Sequence, residues 1–110
     1  MTNRELEVLR EKLEDINLQL LALLNERAAI VKQIGEVKKK AGIPRFDPVR
    51  ERKMLDDLVA RNEGPFDNAT IKHLFKQIFK ASLDLQQEDV KKHLLVSRKR
   101  QEQDTVIQVT

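Results

Sequence analysis

From Leu6 onward, apolar residues return every seven positions in two registers: Leu6, Leu13, Leu20, Ile34 and Ala41 in one, and Leu9, Ile16, Leu23, Ile30 and Val37 in the other. Two registers offset by three residues form the stripe of one long amphipathic helix. Nothing interrupts that pattern between Thr2 and Lys40, and Lys38, Lys39 and Lys40 suit a helix C-terminus. Gly42 and then Pro44 supply the stop. A second helix is predicted to open at Asp47-Pro48, an N-cap aspartate followed by proline at the first helical position, and to carry Met54, Leu55, Leu58 and Val59 to an end near Asn62. Gly64-Pro65 makes a turn, and Asp67 or Asn68 caps a third helix. There Ile71, Leu74, Phe75, Ile78, Phe79, Ser82, Leu85 and Gln86 follow at three-to-four spacing, and the helix closes near Lys92 or Leu94. The remainder, 94–110, turns basic and then polar and ends on Val106-Ile107-Gln108-Val109, which alternates like a short strand and reads as a linker toward a further domain.

The expected fold is therefore all-α, a helical domain over 1–93 built from one long, one short and one medium helix. A first helix of about 38 residues is a rod of roughly 57 Å. A compact chain of this size has a radius of gyration near 13 Å, so the rod projects with its apolar stripe uncovered unless a second chain packs on it. An intertwined homodimer follows as the expectation. Composition narrows the chemistry further. The 110 residues hold no cysteine, which excludes disulfides, thiolate metal sites and a cysteine nucleophile. No run approaches the ~18 apolar residues of a membrane span and no leader pattern opens the chain, so the expectation is a cytoplasmic protein without membrane contact. The formal charge of +3 permits an anionic partner without naming one.

A few residues break the apolar periodicity. Arg27 occupies the position in the first register where every neighbour in the series is apolar, and a charge on a buried seam needs a counterion. Lys38 follows eleven residues later, three turns on, so the two cations project from one side about 16 Å apart. Either they flank a small dianion, or Arg27 pairs with an acid such as Glu51 while Lys38 belongs to a solvated run. On the third helix the stripe Phe75, Phe79 turns polar at Ser82 and Gln86, which either satisfy each other or face a ligand. Asp47 reads as a cap and Arg50-Glu51 as an exposed pair worth under ~1 kcal/mol. His73 and His93 lack partners for a metal pair or a triad, and Gly35, Gly42 and Gly64 are too scattered for a phosphate loop. An enzyme built this way works by binding and electrostatics, with no cofactor or metal.

The sequence Leu9-Arg10-Glu11-Lys12, then Leu23-Leu24-Asn25-Glu26-Arg27, Gly35-Glu36-Val37-Lys38, Asp47 with Arg50-Glu51-Arg52, and Ser82 with Gln86, resembles the all-helical class of chorismate mutase. The likeness covers roughly residues 3–92 and uses the residues that break the periodicity. It implies a three-helix protomer in an intertwined dimer with two equivalent sites. It also implies roles: Arg27 and an Arg10 from the other protomer hold the two carboxylates of chorismate, and Lys38 and Gln86 bond the ether oxygen. Arg50 and Ser82 help fix a carboxylate, while Glu51 and the backbone at Asp47 take the ring hydroxyl. Such a site rearranges chorismate to prephenate with no nucleophile, proton transfer, metal or cofactor. Ser97-Arg98-Lys99-Arg100 followed by Asp104-Thr105-Val106-Ile107-Gln108-Val109 resembles the junction to 3-deoxy-D-arabino-heptulosonate 7-phosphate synthase in fused proteins, where the mutase domain also senses prephenate or chorismate.

Two rivals remain at this stage. A basic helical dimer binding nucleic acid is motivated by the lysine and arginine runs, and weakened by the absence of Trp and Tyr and by the even charge mix of the first helix. A coiled-coil adaptor would use Arg27 to set register. Steep salt dependence of duplex binding marks the first, and indifference to small molecules the second.

Overall fold

The computed structural model describes residues 2–94, with side chains through Gln86. It contains three helices, α1 (Asn3–Ala41), α2 (Pro48–Ala60) and α3 (Asn68–Leu94), and no strand among the described residues. The strand-like Val106–Val109 and the rest of 95–110 lie outside them. The all-α expectation holds, and each helix starts for a local reason. Thr2 and Glu5 form a reciprocal capping box: the Thr2 hydroxyl accepts from the Glu5 N–H at 3.1 Å and the Thr2 N–H donates to the Glu5 carboxylate at 3.0 Å. Asp47 accepts from the Arg50 N–H at 3.0 Å, with Pro48 in the first turn of α2. Of the two candidate caps for α3, Asp67 serves, its carboxylate accepting from the Thr70 N–H at 2.8 Å.

The ends are equally local. Gly42 takes the left-handed conformation (φ 70°) that closes α1, and the Ile43 N–H returns to the Lys38 carbonyl at 2.8 Å. Helix α2 ends at Ala60, two residues before the expected Asn62, because Asn62 is committed to the turn. Its amide donates to the Phe66 carbonyl (2.8 Å) and the Asn68 side chain (2.9 Å), and its oxygen accepts from the Gly64 N–H (3.0 Å).

Helix α3 packs against both α1 and α2. Among the residues whose side chains are described, the buried hydrophobic core is Leu55 and Phe79, and Gln86 is the buried polar side chain. Gly35 is also buried, inside α1 where glycine costs about 1 kcal/mol against alanine. Along α1 the apolar stripe is open: Leu13 is 58% exposed, Leu20 51% and Leu23 61%. The described chain is accordingly extended, 56 Å in its longest dimension with a radius of gyration of 18.4 Å, against about 13 Å for a compact domain of this length. Among the described residues no helix is long and apolar enough to cross a membrane.

Candidate active site

A cavity of about 370 Å³ opens where the C-terminal third of α1, the α1–α2 loop, the first turns of α2 and the middle of α3 converge. That volume falls in the usual range of small-molecule sites, ~300–1,000 Å³. Seven of the eight residues singled out in the sequence line it: Arg27, Lys38, Asp47, Arg50, Glu51, Ser82 and Gln86. Arg45, which the sequence reading did not single out, lines it too. Four cations therefore face two carboxylates, a formal excess of two positive charges around a space walled by Val31, Ile34, Met54, Phe79 and Leu83.

Arg27 does not pair with Glu51. Its Nη1 donates to Ser82 Oγ at 2.6 Å, and its guanidinium lies over the buried Phe79 ring, 5.2 Å from the centroid. Phe75 packs tilted against Phe79 at 6.2 Å and supports that ring. Burial lowers the Arg27 pKa from its ordinary value, yet a guanidinium starts so high that it stays charged at any working pH. One of its five N–H donors is spent on Ser82, which leaves the rest for an anion.

Ser82 and Gln86 do not bond each other. The Ser82 hydroxyl donates its one proton to the Ile78 carbonyl one turn back at 2.8 Å and accepts from Arg27 with one of its two lone pairs, so its donor is committed to the helix. Gln86 is 8% exposed, and its Nε2 donates to the Val31 carbonyl of α1 at 2.9 Å. An amide nitrogen carries two hydrogens, so the second and the Oε1 acceptor remain.

Lys38 is not part of a freely solvated run. Its Nζ donates to the Arg45 carbonyl at 3.0 Å, which ties the ammonium to the α1–α2 loop and leaves it two further N–H donors. Arg45 is reached because Gly42 reverses the chain after α1 and Asp47 caps α2, so the loop is pinned at both ends. An arginine in a Pro-Arg-Phe loop carries no periodic signal. The one clue was its place two residues before a capping aspartate that already belonged to the cluster.

Arg10 is the exception. It lies 17 residues from Arg27 in the same helix, about 25 Å at 1.5 Å per residue, and its side chain is exposed beside Glu7 at 3.5 Å. It cannot reach the cavity of its own protomer. Among the described residues no cluster of three or more His, Cys, Asp or Glu is placed to hold a metal ion.

Comparison with known proteins identifies the family of the chain. The family model for chorismate mutase type II matches residues 9–87. The bifunctional chorismate mutase/prephenate dehydratase of Aquifex aeolicus is 37% identical over 86 residues, 74% of this chain and 24% of the relative. A chorismate mutase structure from Thermus thermophilus superposes with a TM-score of 0.75 at 46% identity, covering 76% of this chain and 94% of the other. One from Helicobacter pylori in complex with prephenate gives a TM-score of 0.75 at 26% identity, covering 81% and 97%. The chain spans about a quarter of the length of the curated relatives it matches first, and these carry prephenate dehydratase as their second activity rather than the synthase that the tail resembles.

Proposed function

Because the chain belongs to the chorismate mutase type II family, we propose that it converts chorismate to prephenate by an intramolecular [3,3] rearrangement, and does so as a dimer. The observation that carries this reading is the cavity with two excess positive charges, in which Arg27, Lys38 and Gln86 converge from two helices on a space of small-molecule size. Chorismate carries two carboxylates, so its charge complements the site. Arg27, held by Ser82 and Phe79, binds one carboxylate, with Arg50 beside it, and Arg10 of the second protomer binds the other. Clamping both ends holds the flexible substrate in its compact reactive conformer and removes much of the entropic barrier.

As the carbon–oxygen bond lengthens, negative charge grows on the ether oxygen. Lys38 and Gln86 each retain an uncommitted N–H, already oriented by the Arg45 and Val31 carbonyls, and stabilise that charge more in the transition state than in the substrate. Glu51 and the backbone at Asp47 take the ring hydroxyl. The dimer is supported by the open stripe of α1 and by Arg10, which lies too far from its own cavity to serve it.

Loss of chorismate absorbance in the presence of the protein tests the reading directly. Lys38→Ala and Gln86→Ala should each lower kcat about 10²–10³-fold with a smaller change in KM, the usual consequence of removing one transition-state donor. Near wild-type turnover in Lys38→Ala would overturn the mechanism. A role as prephenate sensor for an attached 3-deoxy-D-arabino-heptulosonate 7-phosphate synthase rests on residues 97–109 alone. Its test is prephenate inhibition of the full-length parent's synthase, which deletion of residues 1–92 should abolish; a truncated synthase that stays inhibited would sink it.

A further inference from the structure

Gly35 is the one buried residue of α1, and what it faces is Gln86. A Cβ built at position 35 would stand 3.3 Å from Gln86 Cγ, 3.4 Å from its Cδ and 3.4 Å from its Nε2. The first distance is tighter than nearly all real Cβ contacts and the other two lie at the edge of ordinary van der Waals contact, so the glutamine would have to give at its Cγ by a few tenths of an ångström. It is not free to do so without loss, because its Nε2 is bonded to the Val31 carbonyl at 2.9 Å.

Val31 and Gly35 are four residues apart, so in an α-helix the same carbonyl also receives the Gly35 N–H. A carbonyl oxygen has two lone pairs and can take both donors. Side chains on a helix lean toward its N-terminus, so a Cβ at position 35 would lean over the turn that holds the Val31 carbonyl. Gly35 does not need a left-handed backbone, since only Gly42 and Gly64 among the glycines have positive φ. The absence of a side chain is therefore what this position contributes.

We propose that Gly35 is a positioning residue for the reaction: a gap in α1 that lets the Gln86 amide seat on the Val31 carbonyl with one hydrogen, so that the second is aimed at the reacting oxygen. The proposal rests on the mutase reading of Gln86. Gly35→Ala should lower kcat about tenfold and leave KM within about twofold, since a displacement of a few tenths of an ångström costs less than the ~100-fold associated with 1 Å. Alanine is the better helix former, so the melting temperature should not fall.

The double variant Gly35→Ala/Gln86→Ala separates positioning from packing. If Gly35 acts through Gln86, the double variant should be no slower than Gln86→Ala alone; losses that multiply would show that Gly35 serves packing instead and would overturn the proposal. A readout independent of turnover is the pair of Gln86 side-chain amide protons in a ¹⁵N–¹H spectrum. They should be strongly inequivalent in the wild type and become more alike in Gly35→Ala. Unchanged Gln86 resonances in that variant overturn the seat even if chorismate proves not to be the substrate, whereas an inactive wild type with shifted resonances sinks the mutase reading and leaves the seat standing.

Discussion

At the scale of single residues, three polar groups of the cavity each spend one hydrogen on the fold and keep further donors. Arg27 spends one on Ser82, Lys38 one on the Arg45 carbonyl, and Gln86 one on the Val31 carbonyl. Arg45 contributes in two separable ways, because its backbone oxygen holds Lys38 while its half-buried side chain adds a cation to the cavity lining. Arg45→Ala keeps the carbonyl and removes the charge. We expect KM for chorismate to rise about fivefold, roughly 1 kcal/mol for a partly solvated charge-assisted contact, with kcat held within about twofold. A fall in kcat at constant KM would mean that the side chain acts on Lys38 instead of on the substrate. Arg27 and Gln86 were visible in the sequence because they interrupt an apolar repeat, and Lys38 because it lies three turns from Arg27 on the same side. Arg45 and Gly35 were not, since a loop arginine interrupts nothing and a lone helical glycine reads as a cost until its neighbour across the bundle is known.

At the scale of elements, helix starts and stops depend on chemistry within four residues, and these were nearly all legible. Asp47 with Pro48, and Gly42, were read from the sequence, whereas the Thr2–Glu5 box was not; each acts on the backbone beside it. The α3 cap makes a prediction about pH. Hydrogen bonding from the Thr70 hydroxyl first and from its backbone N–H second holds the Asp67 carboxyl below its usual pKa, so the folded state favours the ionised form. That contribution is fully present above the unfolded value, about 3.9, and is lost as pH falls through the lower folded one. Asp67→Asn keeps a good capping side chain that does not titrate. Wild type should therefore exceed Asp67→Asn in thermal stability near neutrality, and the gap should close below about pH 4. A gap that is constant with pH in thermal unfolding would show that the charge contributes nothing there.

At the scale of the whole molecule, the long open stripe of α1 and the distant Arg10 point to the same second copy. If Arg10 is supplied in trans, Arg10→Ala and Lys38→Ala are each inactive for reasons that reside in different protomers. Mixing the two proteins and allowing subunits to exchange should restore activity. Half of the dimers would be mixed, each with one intact site of two, so about a quarter of wild-type activity is expected. Mixtures that remain inactive after proven exchange would place the missing cation elsewhere. If two copies bury the stripe against each other, the melting temperature should rise with protein concentration, which thermal unfolding over a dilution series checks.

The amino-acid sequence by itself determined three helices, their caps and breaks, the apolar stripe that calls for a second chain, and a short set of polar residues at odds with that stripe. These properties follow from interactions between residues one to seven positions apart, which a linear pattern records. The partners of those polar residues were decided only by tertiary structure. Arg27 and Ser82 are 55 positions apart, as are Val31 and Gln86, and their pairing depends on how α3 lies across α1. An apolar ring at Phe79 and a neutral hydroxyl at Ser82 took the place that Glu51 would have filled, so the guanidinium is held without being neutralised. That choice leaves the cavity with its excess of positive charge, and no spacing within a single helix could have announced it, because it is set by the distance between side chains on different helices.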